Sequence, residues 1–296
     1  MPDSHKVTVI APSQVSQGET GQFPFDFFSK RCLAQGDSWF SIGSIPPGRT
    51  TNVLAELELN ESTVIVNCAQ PGSQLQHMTD TTTAVAFIRL LAGRMALKWD
   101  AILMSGGGND LIDAAGVGPA APPDKRLLAT AAECGADAAS GDGYISEPGW
   151  KTFAAHLGAV FNALVDRRDS GINRRVPLVF HTYAHLMPRP APAGPGFGPW
   201  LAPALTAFAV PAADWLKVSN ALVDRLALLL ETLVGSCRAT DPECALYVVD
   251  SRTAEIVLAE QTAVASSGDF LNEIHPTRGG YNKLAEIWRE TLDPLL

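Results

Sequence analysis

Two segments far apart in the sequence supply a hydroxyl and an imidazole that could act together. Ser38 closes a Gly-Asp-Ser tripeptide directly after the apolar run 31–36, and His275 stands on a polar segment ahead of the last amphipathic run. A serine hydroxyl becomes an effective nucleophile when a neighbouring imidazole removes its proton. Gly-Asp-Ser is also ordinary turn chemistry, so the tripeptide alone does not decide between a nucleophile and a turn serine.

Two further segments offer hydrogen-bond donors of the kind that stabilise an oxyanion. Gly72 ends Asn-Cys-Ala-Gln-Pro-Gly and Asn109 ends Ser-Gly-Gly-Gly-Asn, and each segment follows an apolar run. A glycine lets backbone N–H groups approach a ligand closely, and an asparagine adds a side-chain donor. Ser38, Gly72 and Asn109 each follow an apolar run, so they could converge on one point.

These residues need a scaffold that brings the ends of several strands together. Short continuous apolar runs, typical of strands buried on both faces, alternate with helical patterns such as 81–98. The alternation predicts a parallel sheet covered by helices on both faces, in which the segments that follow the strands meet at one edge. The predicted strands are residues 31–36, 62–68, 100–105, 176–182 and 245–250.

The chain is predicted to form one domain with an extension and two long insertions. Residues 1–30 are polar and turn-rich, and we expect their aromatic side chains to pack back on a domain spanning 31–296. Residues 111–148 and 186–211 are rich in glycine and proline, with a short helix possible at 125–133. Loops of this length are uncommon unless they have a function, so we expect both insertions to cap the catalytic edge of the sheet.

Composition narrows the classes of partner. The formal net charge of −9 repels phosphate backbones, so no nucleic-acid partner is expected. No apolar run approaches the ~20 residues of a membrane span and no leader is visible, which predicts a cytoplasmic protein, although a chain trimmed of its leader would look the same. No cysteine pair has zinc-site spacing, so no metal or cofactor is expected. A Cys237–Cys244 disulfide and the oligomeric state stay open.

The four segments together resemble the SGNH hydrolases, also called GDSL esterases and lipases. They occur in the family's order, as Gly-Asp-Ser at 36–38, Gly72, Gly-Gly-Asn-Asp at 107–110 and His-Pro at 275–276. The likeness covers the chain from about residue 31. It implies a three-layer α/β/α sandwich of the flavodoxin-like type with a five-stranded, mainly parallel sheet.

The resemblance also implies roles for individual residues. Ser38 would be the nucleophile and His275 the general base. An oxyanion hole would form from the backbone N–H groups of Ser38 and Gly72 and the side chain of Asn109. The family commonly has leucine after the serine, where this chain has Trp39; we expect that indole to pack near the nucleophile.

The residue that orients the imidazole departs from the family pattern. The family usually carries aspartate three residues before the histidine, and this chain has Asn272 there. Its amide oxygen could accept from the imidazole Nδ1–H, as in Cys-His-Asn enzymes, without supplying a full charge to an imidazolium. Two alternatives stay open. A carboxylate of Glu273 or Asp269 could turn in, or His275 could lean on a backbone carbonyl and form a Ser-His dyad.

The predicted reaction is hydrolysis of a small-molecule carboxylic ester through an acyl-enzyme at Ser38. Apolar residues in 186–211 favour a pocket for a short- to medium-chain acyl group. The same site could serve an acyltransferase or a carbohydrate deacetylase, and a binding protein that has lost catalysis is the alternative from another class. Candidate substrate contacts are Trp39, His181, Tyr183 and Trp200.

Overall fold

A sheet of parallel strands runs through the middle of the chain, with helices on both of its faces. The computed structural model describes residues 4–17, 21–41, 51–93, 96–130, 132–134 and 141–296. The strands are β1 His5–Lys6, β2 Thr8–Ile10, β3 Ser16–Gln17, β4 Gly21–Gln22, β5 Lys30–Gly36, β6 Glu58–Leu59, β7 Thr63–Asn67, β8 Ala101–Ser105, β9 Leu178–His181 and β10 Leu246–Val249. The helices are α1 Val53–Glu56, α2 Leu75–Thr79, α3 Val85–Leu91, α4 Gly108–Ala115, α5 Glu147–Asp169, α6 Leu201–Ala207, α7 Trp215–Thr240 and α8 Arg278–Leu292. The chain therefore has the three-layer α/β/α architecture that the sequence predicts.

The main sheet has six strands in the order β10-β9-β8-β5-β7-β2, and every neighbouring pair is parallel. All five predicted strands are present, with ends shifted by one or two residues. The predicted number of five is wrong, because β2 adds an edge strand within the N-terminal extension. That strand has three residues and only Ile10 among them is buried, so it carries neither an alternating nor a continuous apolar pattern.

The strand order locates the edge at which a ligand can bind. Without β2, the order is the 2-1-3-4-5 arrangement of flavodoxin-like sheets, with β5 between β7 and β8. The chain passes to β7 on one side of β5 and to β8 on the other, so the connections that leave β5 and β8 diverge. Ligands of doubly wound sheets bind in the crevice outside the carboxyl ends of two such strands. The residues that follow β5 and β8 occupy that crevice.

Helix α7 shows how the apolar periodicity sets the packing. Leu222, Leu226 and Leu230 lie one turn apart and are almost fully buried, whereas Leu228 on the opposite face is 62% exposed. Burial of a leucine side chain contributes about 1.5–3 kcal/mol. The buried stripe therefore holds α7 against the interior, where it forms one wall of the cleft described below.

The two predicted insertions contain more regular structure than expected. Helix α4 begins directly after β8 and runs into 111–148, and α6 lies within 186–211. The helix predicted for 125–133 is wrong for the described residues of that stretch. Leu128 instead forms an antiparallel bridge with Ile145, which holds the backbone in an extended conformation.

The N-terminal segment packs on the sheet through its aromatic residues. Phe25 is buried, and its ring meets Trp99 edge-on at a centroid distance of 6.2 Å. Cys237 and Cys244, which flank the turn between α7 and β10, are free thiols. Within the described residues, no helix has the length and apolar character needed to cross a membrane.

Candidate active site

The turn after β5 is fixed by its close approach to β8. A Cβ atom on Gly36 would lie 2.7 Å from the Ser105 Cβ atom, so only glycine allows the two strand ends to come so near. The Asp37 N–H then donates to the Ser105 carbonyl at 3.0 Å. Ser38 follows at once and is 7% exposed at the carboxyl edge of the sheet. The nucleophile candidate therefore stands on a turn that two strands define.

The Asp37 side chain holds this turn from within. One carboxylate oxygen accepts the Trp39 N–H at 2.9 Å and the Ser105 hydroxyl at 2.8 Å, and the other accepts the Tyr183 hydroxyl. Burial raises the pKa of Asp37 to about 6, against the lowering effect of these hydrogen bonds. The hydroxyl and amide donors stabilise the ionised form, so Asp37 orders the turn that presents Ser38.

His275 reaches Ser38 from the loop between β10 and α8. Its Nε2 atom lies 2.8 Å from the Ser38 Oγ, and its Nδ1 atom lies 3.0 Å from the Asn272 Oδ1. Thr277 caps α8 by accepting the Gly280 N–H, which fixes where the loop ends and the helix begins. Residues separated by 237 positions thus meet at hydrogen-bond distance.

The amide of Asn272 is oriented by the backbone of its own loop. Its Oδ1 accepts the N–H groups of Ile274 at 3.1 Å and His275 at 2.9 Å. An amide NH₂ group cannot accept these donors, so the oxygen faces the imidazole and Nδ1 carries the proton. The Nε2 lone pair is then left to accept the Ser38 hydroxyl. This geometry supplies the tautomer that a general base needs.

The other predicted partners of His275 face elsewhere. The Glu273 carboxylate accepts backbone N–H groups of the second insertion, including that of Ala202 at 2.7 Å. The Asp269 carboxylate accepts from Lys283 Nζ at 2.7 Å. Asn272 Oδ1 therefore is the acceptor that the structure brings to Nδ1.

The imidazole of His275 sits in a weakly polar setting. It is 5% exposed, and Trp200 meets it edge-on at a centroid distance of 5.4 Å. Burial lowers the pKa of His275 to about 4, since water no longer stabilises the imidazolium. The ring is therefore neutral at pH 7 and able to accept a proton.

Ser38 opens into a narrow cleft with a cavity volume of about 50 Å³. Its walls come from α4, α7 and the second insertion. Trp39, Tyr183 and Asn109 also line it, with the two aromatic rings 5.0 Å apart. The described residues contain no group of three or more His, Cys, Asp or Glu side chains placed to hold a metal ion. The apolar lining includes Leu111, Ile112, Leu186, Leu222, Val223 and Leu226.

The predicted oxyanion donors lie on neighbouring loops. Asn109 lines the cleft at the start of α4, and its Nδ2 donates to the Ser73 carbonyl at 3.0 Å, which leaves a second N–H. Gly72 precedes Ser73 and has φ of +75°, a conformation that favours glycine. The Ser38 N–H has no backbone acceptor among the described residues. Ser38 and Asn109 line the cleft. Gly72 does not line it, but it belongs to the loop that Asn109 holds through the Ser73 carbonyl.

A second serine–histidine contact lies behind this turn and corrects one prediction. Ser105 and His181 are both fully buried, with the Ser105 Oγ 2.8 Å from His181 Nε2. The other ring nitrogen of His181 lies 3.2 Å from the Ser251 Oγ. His181 therefore does not contact the cleft, because the last residue of β9 turns its side chain into the protein. A substrate cannot reach Ser105, so this pair supports the turn and does not compete with Ser38.

The sequence analysis missed the residues that support the site. Trp200 is half-buried and borders His275, so its substrate contact stays a prediction. Ser105 is the first residue of the glycine-rich segment, and its position at a strand end could have drawn attention to it. Arg189, which anchors the loop that carries His275, has no local signal that distinguishes it from a surface charge, and Glu273 was considered only as a partner of the imidazole.

Comparisons with known proteins return solved structures of lipases and esterases. An extracellular lipase from Streptomyces rimosus covers 90% of this chain and 100% of its own, at 12% identity and a TM-score of 0.46. An inhibitor-bound aryl esterase from M. smegmatis covers 90% and 100%, at 13% identity and a TM-score of 0.45. A GDSL-like lipase from Bacteroides thetaiotaomicron covers 90% and 89%, at 10% identity and a TM-score of 0.42. No family model and no curated protein matches the chain.

Proposed function

We propose that this chain is a serine hydrolase of the SGNH type that cleaves carboxylic esters of small molecules. One observation carries the proposal: the 2.8 Å contact between Ser38 Oγ and His275 Nε2 at an open, mainly apolar cleft. Asn272 completes the arrangement by holding the imidazole tautomer. Function is argued from this site, since one fold serves many reactions.

Acylation begins with attack of the Ser38 oxygen on the ester carbonyl carbon. As the C–O bond forms, the hydroxyl proton passes to His275 Nε2, while the Nδ1 proton stays on its hydrogen bond to Asn272. The carbonyl oxygen gains the negative charge and accepts from the N–H groups of Ser38 and Asn109, and the resemblance to the SGNH hydrolases implies the Gly72 N–H as a third donor. Donors placed in advance stabilise this charge without reorganisation. The imidazolium then protonates the leaving alkoxide, and the alcohol departs.

Deacylation repeats the sequence with water as the nucleophile. His275 takes a proton from water, the hydroxide oxygen attacks the acyl carbon, and the same donors receive the oxyanion. Collapse of the intermediate breaks the bond to the Ser38 oxygen, which regains its proton from the imidazolium. The carboxylic acid leaves and the site returns to its starting state.

Asn272, the neutral partner of His275, affects how basic the imidazole is. Because Asn272 supplies no negative charge and the ring is buried, the imidazole is a weaker base than one paired with a carboxylate. The corresponding imidazolium is a stronger acid, which favours protonation of the leaving alkoxide. The arrangement therefore favours proton donation to the leaving alkoxide over proton removal from Ser38.

The lining of the cleft supports a short- to medium-chain acyl group as the substrate's acid part. Its walls carry branched apolar side chains from α4 and α7, and a sugar ring would instead require several polar partners. This favours an ester with an apolar acyl group over an acetylated carbohydrate as the substrate.

A fluorophosphonate probe and a series of p-nitrophenyl esters test the proposal. We expect an adduct on Ser38, located by peptide mass spectrometry, and turnover that is maintained from acetyl to octanoyl esters. Ser38→Ala should abolish both, whereas Ser105→Ala should still be labelled at Ser38. No adduct and no turnover would refute the hydrolase and favour a binding protein. Turnover that falls steadily with chain length would refute the apolar acyl site alone.

A further inference from the structure

A set of buried hydrogen bonds around Glu273 and Arg189, called the clasp below, joins two segments. One is the loop between β10 and α8 that carries His275, called the histidine loop, and the other is the second insertion, residues 186–211. Glu273, next to Asn272, is 1% exposed and turns its carboxylate towards the insertion. One oxygen accepts the backbone N–H groups of Trp200 and Leu201, the latter at 2.9 Å, and the other accepts that of Ala202 at 2.7 Å. Hydrogen bonds to an ionised acceptor are about twice as strong as neutral ones. Three consecutive peptide groups are thus fixed by one side chain.

Arg189, in the second insertion, makes further hydrogen bonds to the histidine loop. Its backbone N–H donates to the Glu273 carboxylate at 3.2 Å, and the Glu273 N–H donates to the Ala191 carbonyl at 2.9 Å. The fully buried guanidinium donates to the carbonyl oxygens of Asn272 at 2.8 Å and Phe270 at 3.3 Å. Both sides of the clasp therefore use buried, directional bonds.

The clasp sets the surroundings of the imidazole. Trp200, whose N–H is bound by Glu273, packs its ring in a T-shaped arrangement with the His275 ring, at a centroid distance of 5.4 Å. The same carboxylate belongs to the loop that carries both His275 and its partner Asn272. Loss of the carboxylate would release the indole that covers the imidazole and, at the same time, the loop that positions it.

We propose that Glu273 is a positioning residue, whose carboxylate ties the second insertion to the histidine loop and keeps His275 covered by Trp200 and in register with Ser38. This inference rests on the proposed function, because it takes His275 as the base. A displacement of about 1 Å at a reacting group can slow an enzyme by about 10²-fold. A clasp that touches no substrate can therefore contribute strongly to kcat.

Glu273→Gln tests the inference with little change in shape. The amide replaces one acceptor oxygen with an NH₂ group, which opposes the N–H donors on that side. We expect kcat for p-nitrophenyl acetate to fall by about 100-fold with little change in KM. We also expect the acid limb of kcat/KM to move upward from about pH 4, since an uncovered imidazole is better hydrated.

Asp169→Asn is the matched control. Asp169 also binds a buried group, the Arg168 guanidinium at 2.8 Å, and it accepts the exposed Arg175 N–H at 2.9 Å. Arg168 anchors the opposite edge of the sheet, where it donates to the carbonyls before β9 and β10. The control variant should lower the Tm and leave kcat and the acid limb unchanged. If Glu273→Gln does not fold, Glu273→Asp, which reaches fewer of the donors, takes its place with the same readouts.

The outcomes separate the two proposals. Wild-type protein that neither turns over esters nor labels at Ser38 would overturn the proposed function. An active wild type with unchanged kcat and acid limb in Glu273→Gln would overturn the positioning role alone. An equal loss of kcat in Asp169→Asn would also overturn it, because general destabilisation would then explain the effect.

Discussion

Replacement of Asn272 by aspartate adds a charge to the site at nearly constant shape. The carboxylate oxygen can accept the same three N–H groups that now bind Oδ1, so the loop and the tautomer of His275 are retained. What changes is the environment of the imidazolium, which gains an ion partner 3.0 Å from Nδ1. The variant therefore isolates the electrostatic contribution of the third triad position from its steric one.

The expected magnitude follows from the pKa of His275. Burial holds that pKa at about 4, and an adjacent opposite charge typically changes a pKa by about 1–3 units, here upward. A rise of about two units corresponds to about 2.7 kcal/mol of imidazolium stabilisation. At pH 5 the neutral fraction of His275 would then fall from about nine-tenths to about one-tenth. The plateau kcat should rise by much less than about 10⁴, because that factor in a serine protease arises mainly from a wrong tautomer.

The assay is the pH dependence of kcat/KM for p-nitrophenyl acetate between pH 3.5 and 8, for wild type and Asn272→Asp. Wild-type activity should be lost only as the pH falls through about 4, and the variant should lose activity at a pH higher by about 1–3 units. Asn162→Asp, on the exposed side of α5, makes the same charge change elsewhere and should leave the limb in place. A coincident limb in wild type and Asn272→Asp would refute the role of Asn272 as the partner of the base.

Three further changes test other parts of the site and fold. Asn109→Ala should lower kcat by about 100- to 1000-fold if its amide serves the oxyanion, whereas Gln74→Ala, which loses a bond to the exposed side of α4, should not. Ile112→Trp should narrow the cleft, so kcat/KM for the octanoyl ester should fall relative to the acetyl ester, and an unchanged ratio would remove Ile112 from the acyl site. For His181, burial lowers the folded pKa to about 3, so its contribution to stability is lost as the pH falls below the ordinary value of 6.5. In urea titrations the free energy of unfolding of wild type relative to His181→Gln should therefore drop by about 2 kcal/mol from pH 7 to pH 5, and a constant difference would contradict this.

The strands that form the centre of the fold were predictable because burial on both faces demands continuous apolar residues. The edge strand β2 was not, since pairing on one side requires only three residues and one buried side chain. The helix expected at 125–133 failed for another reason. The guanidinium of Arg126 binds the Leu128 carbonyl and the Glu133 carboxylate, and such contacts override a local preference for helix.

Some residues of the site were predictable from the sequence and others were not. Ser38 and His275 stand out because their neighbours in sequence mark a strand end and a loop. The choice of Asn272 over Glu273 depends on where two backbone N–H groups point, which no spacing reveals. The error at His181 has the same origin, because one residue along a strand separates a side chain in the cleft from one in the core.

The separation of 237 positions between Ser38 and His275 also bears on how the protein becomes active during folding. The histidine loop follows β10, the last strand of the chain and an edge strand of the sheet, so we expect this loop to dock late in folding. Ester hydrolysis therefore reports on the last long-range contacts to form, and parallel pairings of this kind are slow to assemble. During refolding, recovery of helical circular dichroism should precede recovery of activity, so an intermediate that already contains β5 and its turn would hold the nucleophile without yet having its base.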